Sequence, residues 1–211
     1  MKSLFVDTTG AKMRVAYVDG GRVVQEFSGT DGTSQSAEIF GAIANVLGNV
    51  RVADLDFMVV LGGPGSFTGI RLGLSVAKGF HLALGLPVVV VNNFRAIFYS
   101  MDVQDVASAS EFYITIPAGV NDIYVAKFDA NGHEVVAGRI VKRADFVADL
   151  PVVDDGVIVP ERVVSAVEKS LCVGGGDIDD CGNWRKNFVQ ERIEPTYIKP
   201  HYAKVKAKPE I

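Results

Sequence analysis

Cysteine and histidine are scarce in this chain: its 211 residues hold two of the first and three of the second. Cys172 and Cys181 stand nine positions apart, which is neither a CxxC pair nor a zinc framework. Without an export signal, such thiols are expected to stay free and reduced. His81, His133 and His201 are scattered, with no HxxxH or HExxH, so the sequence offers no metal site. Long apolar runs are missing too. None reaches the ~18 residues of a membrane span, and the opening MKSLFVDTTG lacks the apolar core of a signal peptide. Nor is there an excess of basic charge: the net charge of −4 gives no general pull toward nucleic acid or anionic membrane. A role near RNA therefore needs a local basic patch or a basic partner.

What remains is ordinary globular composition, 48% hydrophobic and 22% charged, in a chain long enough for one large domain or two small lobes. Leu4–Val6 reads as a short buried strand. Met13–Asp19 and Arg22–Phe27 flank a Gly20-Gly21 hairpin turn. Ser36–Leu47 keeps helical spacing through Ile39, Phe40, Ile43, Val46 and Leu47. Phe57–Leu61 is a strand, Thr68–Leu84 a helix ended by Gly85, Val88–Val91 a buried strand and Asn93–Met101 a third helix. The order β-β-β-α-β-α-β-α predicts a mixed sheet with helices on its faces over residues 1–100. Residues 101–211 predict a reduced second lobe. It has strands at Glu111–Ile116, Asp122–Phe128 and Glu134–Val141, a short strand near Gly156–Val159, and a helix Pro160–Leu171. The Gly174–Trp184 stretch reads as a polar loop, and the tail HYAKVKAKPEI as a basic, exposed and partly mobile end.

Three features carry chemistry or recognition. The first is LGGPGSFTGIRLG, Leu61–Gly73, where a strand runs through glycines into a helix. Free N–H groups at such a corner can receive an anion. Yet no lysine completes a Walker loop, GxGxxG does not fit, and Ser66 lies outside GxSxG with no nearby histidine as base. A tight turn capped by Ser66 or Thr68 is the competing reading. The second is Asp7-Thr8-Thr9, a strand end that resembles the first phosphate loop of the actin/Hsp70/sugar-kinase superfamily. Read without that resemblance, the same residues simply satisfy a turn. The third is the helix Thr68–Leu84, apolar on most sides, with Gly69, Gly73 and Ala77 every four residues and Leu72, Val76 and Phe80 around them. One face can meet the sheet. The other calls for a lobe, a helix or a partner chain.

VDTT at the start, GGPGSFTGIRLGLSVAKGF, GLPVVVVNNF and the closing IEPTYIK together resemble the TsaB/YeaZ family, paralogues of the TsaD glycoprotease-like family. The resemblance is good over the first hundred residues and only in outline beyond. It implies a two-lobed actin/Hsp70-like (RNase H-like) α/β fold. It also implies a part in making threonylcarbamoyladenosine beside the anticodon of tRNAs that read codons beginning with A. In that family TsaB does no chemistry. It pairs with TsaD, which transfers the threonylcarbamoyl group, and the ATPase TsaE joins them. The pairing surface uses the first two helices, so Ile39, Phe40, Ile43, Gly69, Leu72, Gly73, Val76 and Phe80 are the expected interface. A homodimer is expected when TsaD is absent, tRNA contact only within the complex, no cofactor, and a cytoplasmic location. The catalytic paralogue carries VNHMEGH, whose histidines hold a metal. Here VNNFRAI puts Asn93 and Ile97 in their places, and neither is a ligand for such a metal. Gln35 stands near a position where many family members have histidine. The competing functions are a glycoprotease-like metallopeptidase, a small ATPase of the same fold in which Asp7, Thr8 and Thr9 hold phosphate, and a homodimeric regulatory module.

Overall fold

The computed structural model describes residues 1–30, 34–102, 109–154, 157–173 and 193–194, the side chains of 172–173 excepted. The Gly174–Trp184 loop, the basic tail and both cysteine side chains lie outside the described residues.

The first sheet is built from β1 (Lys2–Asp7), β2 (Arg14–Asp19), β3 (Arg22–Ser28), β4 (Phe57–Leu61) and β5 (Val88–Val91), in the order β3-β2-β1-β4-β5. The meander pairs antiparallel, with Leu4 opposite Tyr17 and Val6 opposite Val15. β4 and β5 then join in parallel, Val6 beside Val60 and Val60 beside Val90. Strands flanked by parallel neighbours are covered on both faces, which is why β4 reads FMVVL without alternation and is buried throughout.

Side-chain alternation along β1 sends Leu4 and Val6 to one face and Phe5 to the other. On the first face lie α1 (Gln35–Leu47) and α2 (Phe67–Leu84), which bury Ile39, Ile43, Val46, Ile70, Leu74, Val76 and Ala77 against Leu4, Val6, Met58 and Val60. Ile193, from the IEPTYIK stretch, is buried in this same cluster. On the second face lie α3 (Asn93–Ser100), through Ala96, and α4 (Pro160–Val173), through Val163, Val164 and Val167.

A second sheet holds β6 (Glu111–Pro117), β7 (Asp122–Asp129), β8 (Glu134–Lys142) and β9 (Val152–Asp154), in the order β8-β7-β6-β9. Its inner face carries Phe112, Ile114, Tyr124, Ala126 and Phe128 and packs on Phe94 and Ile97 of α3. Phe98, Phe112 and Phe128 stack at centroid spacings of 6.3–6.4 Å. Helix α3 thus sits between the sheets and binds to both. The short last strand is at Val152–Asp154 rather than near Gly156–Val159. It pairs in parallel with Tyr113–Thr115, and the Thr115 hydroxyl donates to Asp154, which anchors it at the edge. Among the described residues, no helix is long and apolar enough to cross a membrane.

Candidate functional site

The glycine-rich corner is a joint between three elements. Ser66 caps α2, its Oγ accepting from Gly69 N at 3.2 Å, so the turn reading with Ser66 as cap is the observed one. The Ser66 N–H donates to Thr9 O at 2.7 Å, fastening the corner to the end of β1. Thr8 Oγ1 donates to Gly69 O at 2.6 Å. This close approach requires glycine. A Cβ on Gly69 would stand 1.7 Å from Thr8 O, and one on Gly73 would stand 2.6 Å from Thr8 Oγ1. The small stripe of α2 therefore lets the helix approach β1 of its own sheet.

Asn93 closes the joint. Its Nδ2 donates to Thr9 Oγ1 at 2.6 Å, its Oδ1 accepts from Gly63 N at 3.0 Å, and its own N–H donates to Gly63 O at 2.8 Å. Thr9 in turn donates from N and Oγ1 to Asp7 Oδ1, at 2.8 and 2.7 Å. The Asp7-Thr8-Thr9 loop and the corner are thus one network, with the hydroxyls of both threonines engaged inside it. Asn93 and Ile97, which the family resemblance would put at metal-ligand positions, do not fit a metal. Both ends of the Asn93 amide are bonded within the chain, and Ile97 is a buried core residue with no donor atom. Among the described residues, no group of three or more His, Cys, Asp or Glu could hold a metal ion.

Beside this joint, a cleft of about 850 Å³ opens between the two sheets. Its polar floor is Asp7, Thr9, Asn93 and Gln35, and its apolar wall is Ile97, Ile116, Pro117, Tyr124 and Ile158. Asp7 is only 7% exposed. Burial pushes its carboxyl above the usual range, against the opposing pull of the two Thr9 hydrogen bonds and the Arg14 charge. Arg14 spans the cleft's edge from β2. It donates to the Ile158 carbonyl and pairs with Glu26 at 2.7 Å. Gln35 Nε2, at the start of α1, donates to the Gly10 and Ala11 carbonyls at 3.1 and 3.3 Å. This holds the loop after Thr9 to the helix.

A second feature lies on the far face of α1 and α2. Of the eight residues expected at a partner interface, Ile39, Ile43, Gly69, Gly73 and Val76 are buried by this chain itself. The physical reason is the inward phase of both helices: these residues meet Leu4, Val6, Thr8 and Val60 of the sheet. Val76 is therefore no surface probe. Phe40, Leu72 and Phe80 keep exposed area, and Phe40 meets Phe80 edge-on at 6.4 Å. The outward sides also expose Ala37, Gly41 and Ala44 on α1 and Arg71, Ser75, Lys78, Gly79 and Leu82 on α2, with Leu82 about 160° round α2 from Phe80. Phe40 is 62% exposed and Leu82 84% exposed. Gly41 and Gly79 lie inside helices, and a Cβ on either would meet nothing within 4 Å among the described residues. Sequence reasoning marks Gly79 and Ala83 as extending the small surface of α2. It leaves out Gly41, one position from Phe40, and Leu82, which lies about 60° from Gly79 but about 160° round the helix from Phe80.

Comparison with known proteins places this geometry. The family model described as TsaD, tRNA N6-adenosine threonylcarbamoyltransferase, matches residues 34–166, more than half the chain. The tRNA threonylcarbamoyladenosine biosynthesis protein TsaB of Bacillus subtilis is 28% identical over 99 residues, covering 46% of this chain and 43% of that protein. The Escherichia coli protein of the same name is 26% identical over 136 residues, covering 63% and 58% respectively. The chain spans about half the length of the curated relatives it matches. Among solved structures, YeaZ from Pseudomonas aeruginosa superposes with a TM-score of 0.69 at 16% identity, over 93% of this chain and 99% of that one. That likeness shows the fold, the actin/Hsp70-like α/β arrangement expected from the sequence motifs.

Proposed function

The chain belongs to the TsaD, tRNA N6-adenosine threonylcarbamoyltransferase, family, and from that premise we propose that it is an accessory subunit of a tRNA threonylcarbamoylating complex. In this reading it does no chemistry itself. It pairs with a TsaD-like catalytic subunit, is joined by a TsaE-like ATPase, and meets tRNA only within that assembly, in the cytoplasm. The TsaB names of its relatives support the pathway.

The observation that carries the scaffold role is the outer face of α1 and α2. A glycine inside a helix costs about 1 kcal/mol relative to alanine. Gly41 and Gly79 bear that cost with no contact among the described residues that needs it. Near them Phe40 and Phe80 expose apolar area, and Leu82 does so farther round α2. A partner helix laid against this face would use the glycines for close approach and cover the aromatic pair, and apolar patches of this kind mark interaction sites. Alone, the chain covers the same face with a second copy of itself.

The enzyme alternatives have less support. A peptidase of this fold needs metal ligands where Asn93 and Ile97 stand. An ATPase needs Thr8 and Thr9 hydroxyls free for phosphate, and both are bonded inside the chain.

The test is reconstitution with the cognate TsaD-like and TsaE-like subunits, threonylcarbamoyl-adenylate and substrate tRNA. Product is expected only with all three proteins. Phe40→Arg is expected to fold, since the ring is 62% exposed, while losing both self-association and pairing, because an unpaired charge in an apolar interface is costly. Product from this chain alone, full activity of the TsaD-like subunit without it, or wild-type pairing by Phe40→Arg would each overturn the reading.

A further inference from the structure

The cleft between the sheets has a donor–acceptor imbalance that points to its ligand. Many of the side-chain donors lining it are engaged within the chain. Thr9 Oγ1 donates to Asp7, Asn93 Nδ2 to Thr9, and Gln35 Nε2 to the Gly10 and Ala11 carbonyls. Arg14 is held by Glu26 and the Ile158 carbonyl. Asn93 Oδ1 and Thr9 Oγ1 also accept within the chain, but one buried acceptor is left over. Both hydrogen bonds to Asp7 fall on Oδ1, and among the described residues Oδ2 receives none. This oxygen belongs to a carboxylate more than nine-tenths buried on the cleft floor. A phosphate or carboxylate entering here meets a like charge and few free side-chain donors. A cationic nitrogen meets the opposite charge and an open lone pair, and a group held there is largely out of water.

The wall opposite is apolar: Ile97, Ile116, Pro117, Tyr124 and Ile158. The cleft volume of about 850 Å³ lies within the range of small-molecule sites. We propose that this cleft binds a small molecule with a cationic nitrogen head, an ammonium or amidinium, on an apolar body. Asp7 Oδ2 receives the head, and the Ile97–Ile116–Tyr124 wall covers the body. The site is separate from the outer face of α1 and α2 and does not depend on the pairing proposed above.

Benzamidine and n-butylammonium serve as cationic probes of the purified protein, with benzoate, inorganic phosphate and magnesium-ATP as anionic counterparts. Binding is followed by calorimetry and by NMR shifts of the Ile116, Ala118 and Tyr124 amides. Saturable benzamidine binding is expected, with shifts confined to the cleft and affinity at least tenfold above that for benzoate. Asp7→Asn keeps the acceptor for Thr9 but removes the charge, and is expected to weaken benzamidine at least tenfold. Ala118→Trp places a large ring in the cleft lining, at a residue outside the Asp7 hydrogen-bond network, and is expected to abolish binding. No saturable binding of either cation, equal binding of benzoate, tighter binding of magnesium-ATP, or benzamidine affinity unchanged in both variants would overturn the proposal.

Discussion

Asn93 Nδ2 lies 2.6 Å from Thr9 Oγ1, a hydrogen bond between residues 84 positions apart. Through it the first turn of α3 is tied to the loop after β1, and Asn93 Oδ1 carries the tie on to the buried N–H of Gly63. Asn93 is thus a structural clasp.

Replacing Asn93 with Ala removes both side-chain bonds and leaves the Gly63 N–H unsatisfied in the interior. An orphaned buried donor costs ~1–3 kcal/mol, so a loss of about 2–3 kcal/mol in urea unfolding is expected. Asn93→Asp keeps the acceptor but cannot donate to Thr9 and buries a charge near Asp7. It should be at least as unstable. If either variant unfolds at the wild-type midpoint, the clasp contributes nothing.

Glycine substitutions on α2 should differ in sign. At Gly69 a Cβ would fall 1.7 Å from a backbone carbonyl oxygen that cannot move aside. Gly69→Ala is expected to destabilise by ~3 kcal/mol or more, at or beyond the upper end of overpacking costs. At Gly79 a Cβ meets open space, and Gly79→Ala should stabilise the isolated chain by about 1 kcal/mol. Thermal unfolding of the two variants side by side checks the contrast.

Burial raises the Asp7 carboxyl above its ordinary 3.8. The folded state therefore holds this proton more tightly than the unfolded chain. The stabilisation from protonation is complete below about pH 3.8 and is lost as pH rises through the folded value. Asp7→Asn has no charge to bury. It should be more stable than the wild type at pH 7, with the gap closing toward pH 3.5. A gap that is constant across that range, or of the opposite sign at pH 7, would show that the carboxylate is not under strain from burial.

Ser3 is fully buried on β1, and its hydroxyl has no hydrogen-bond partner among the described residues. Removing a buried hydroxyl that bonds to nothing relieves a desolvation cost of ~1–3 kcal/mol. Ser3→Ala is expected to raise stability by about 1 kcal/mol. A drop of similar size in the unfolding midpoint would mean the hydroxyl is satisfied in solution.

Much of the fold was legible because its signals are local. Alternation in MRVAYVD, the turn at Gly20-Gly21, the apolar run FMVVL and the helical spacing from Ile39 to Leu47 each depend on neighbours a few residues away. So does the reading of GPGSFTG as a capped strand-to-helix turn. The sequence could not determine the phase of α2, because a helix apolar on most sides has no preferred inward stripe until the sheet meets it. The tertiary structure chose Gly69, Gly73 and Val76 for the inside through the close approach of Thr8, leaving Gly79 and Leu82 outside. It likewise placed β9 at Val152–Asp154, since a three-residue edge strand carries no period of its own and is defined by its pairing with β6. Long-range packing also decided the chemistry of the cleft. Composition lists donors and acceptors in equal view, but contacts spanning 30 and 84 positions engage the donors and leave one buried oxygen of Asp7 open.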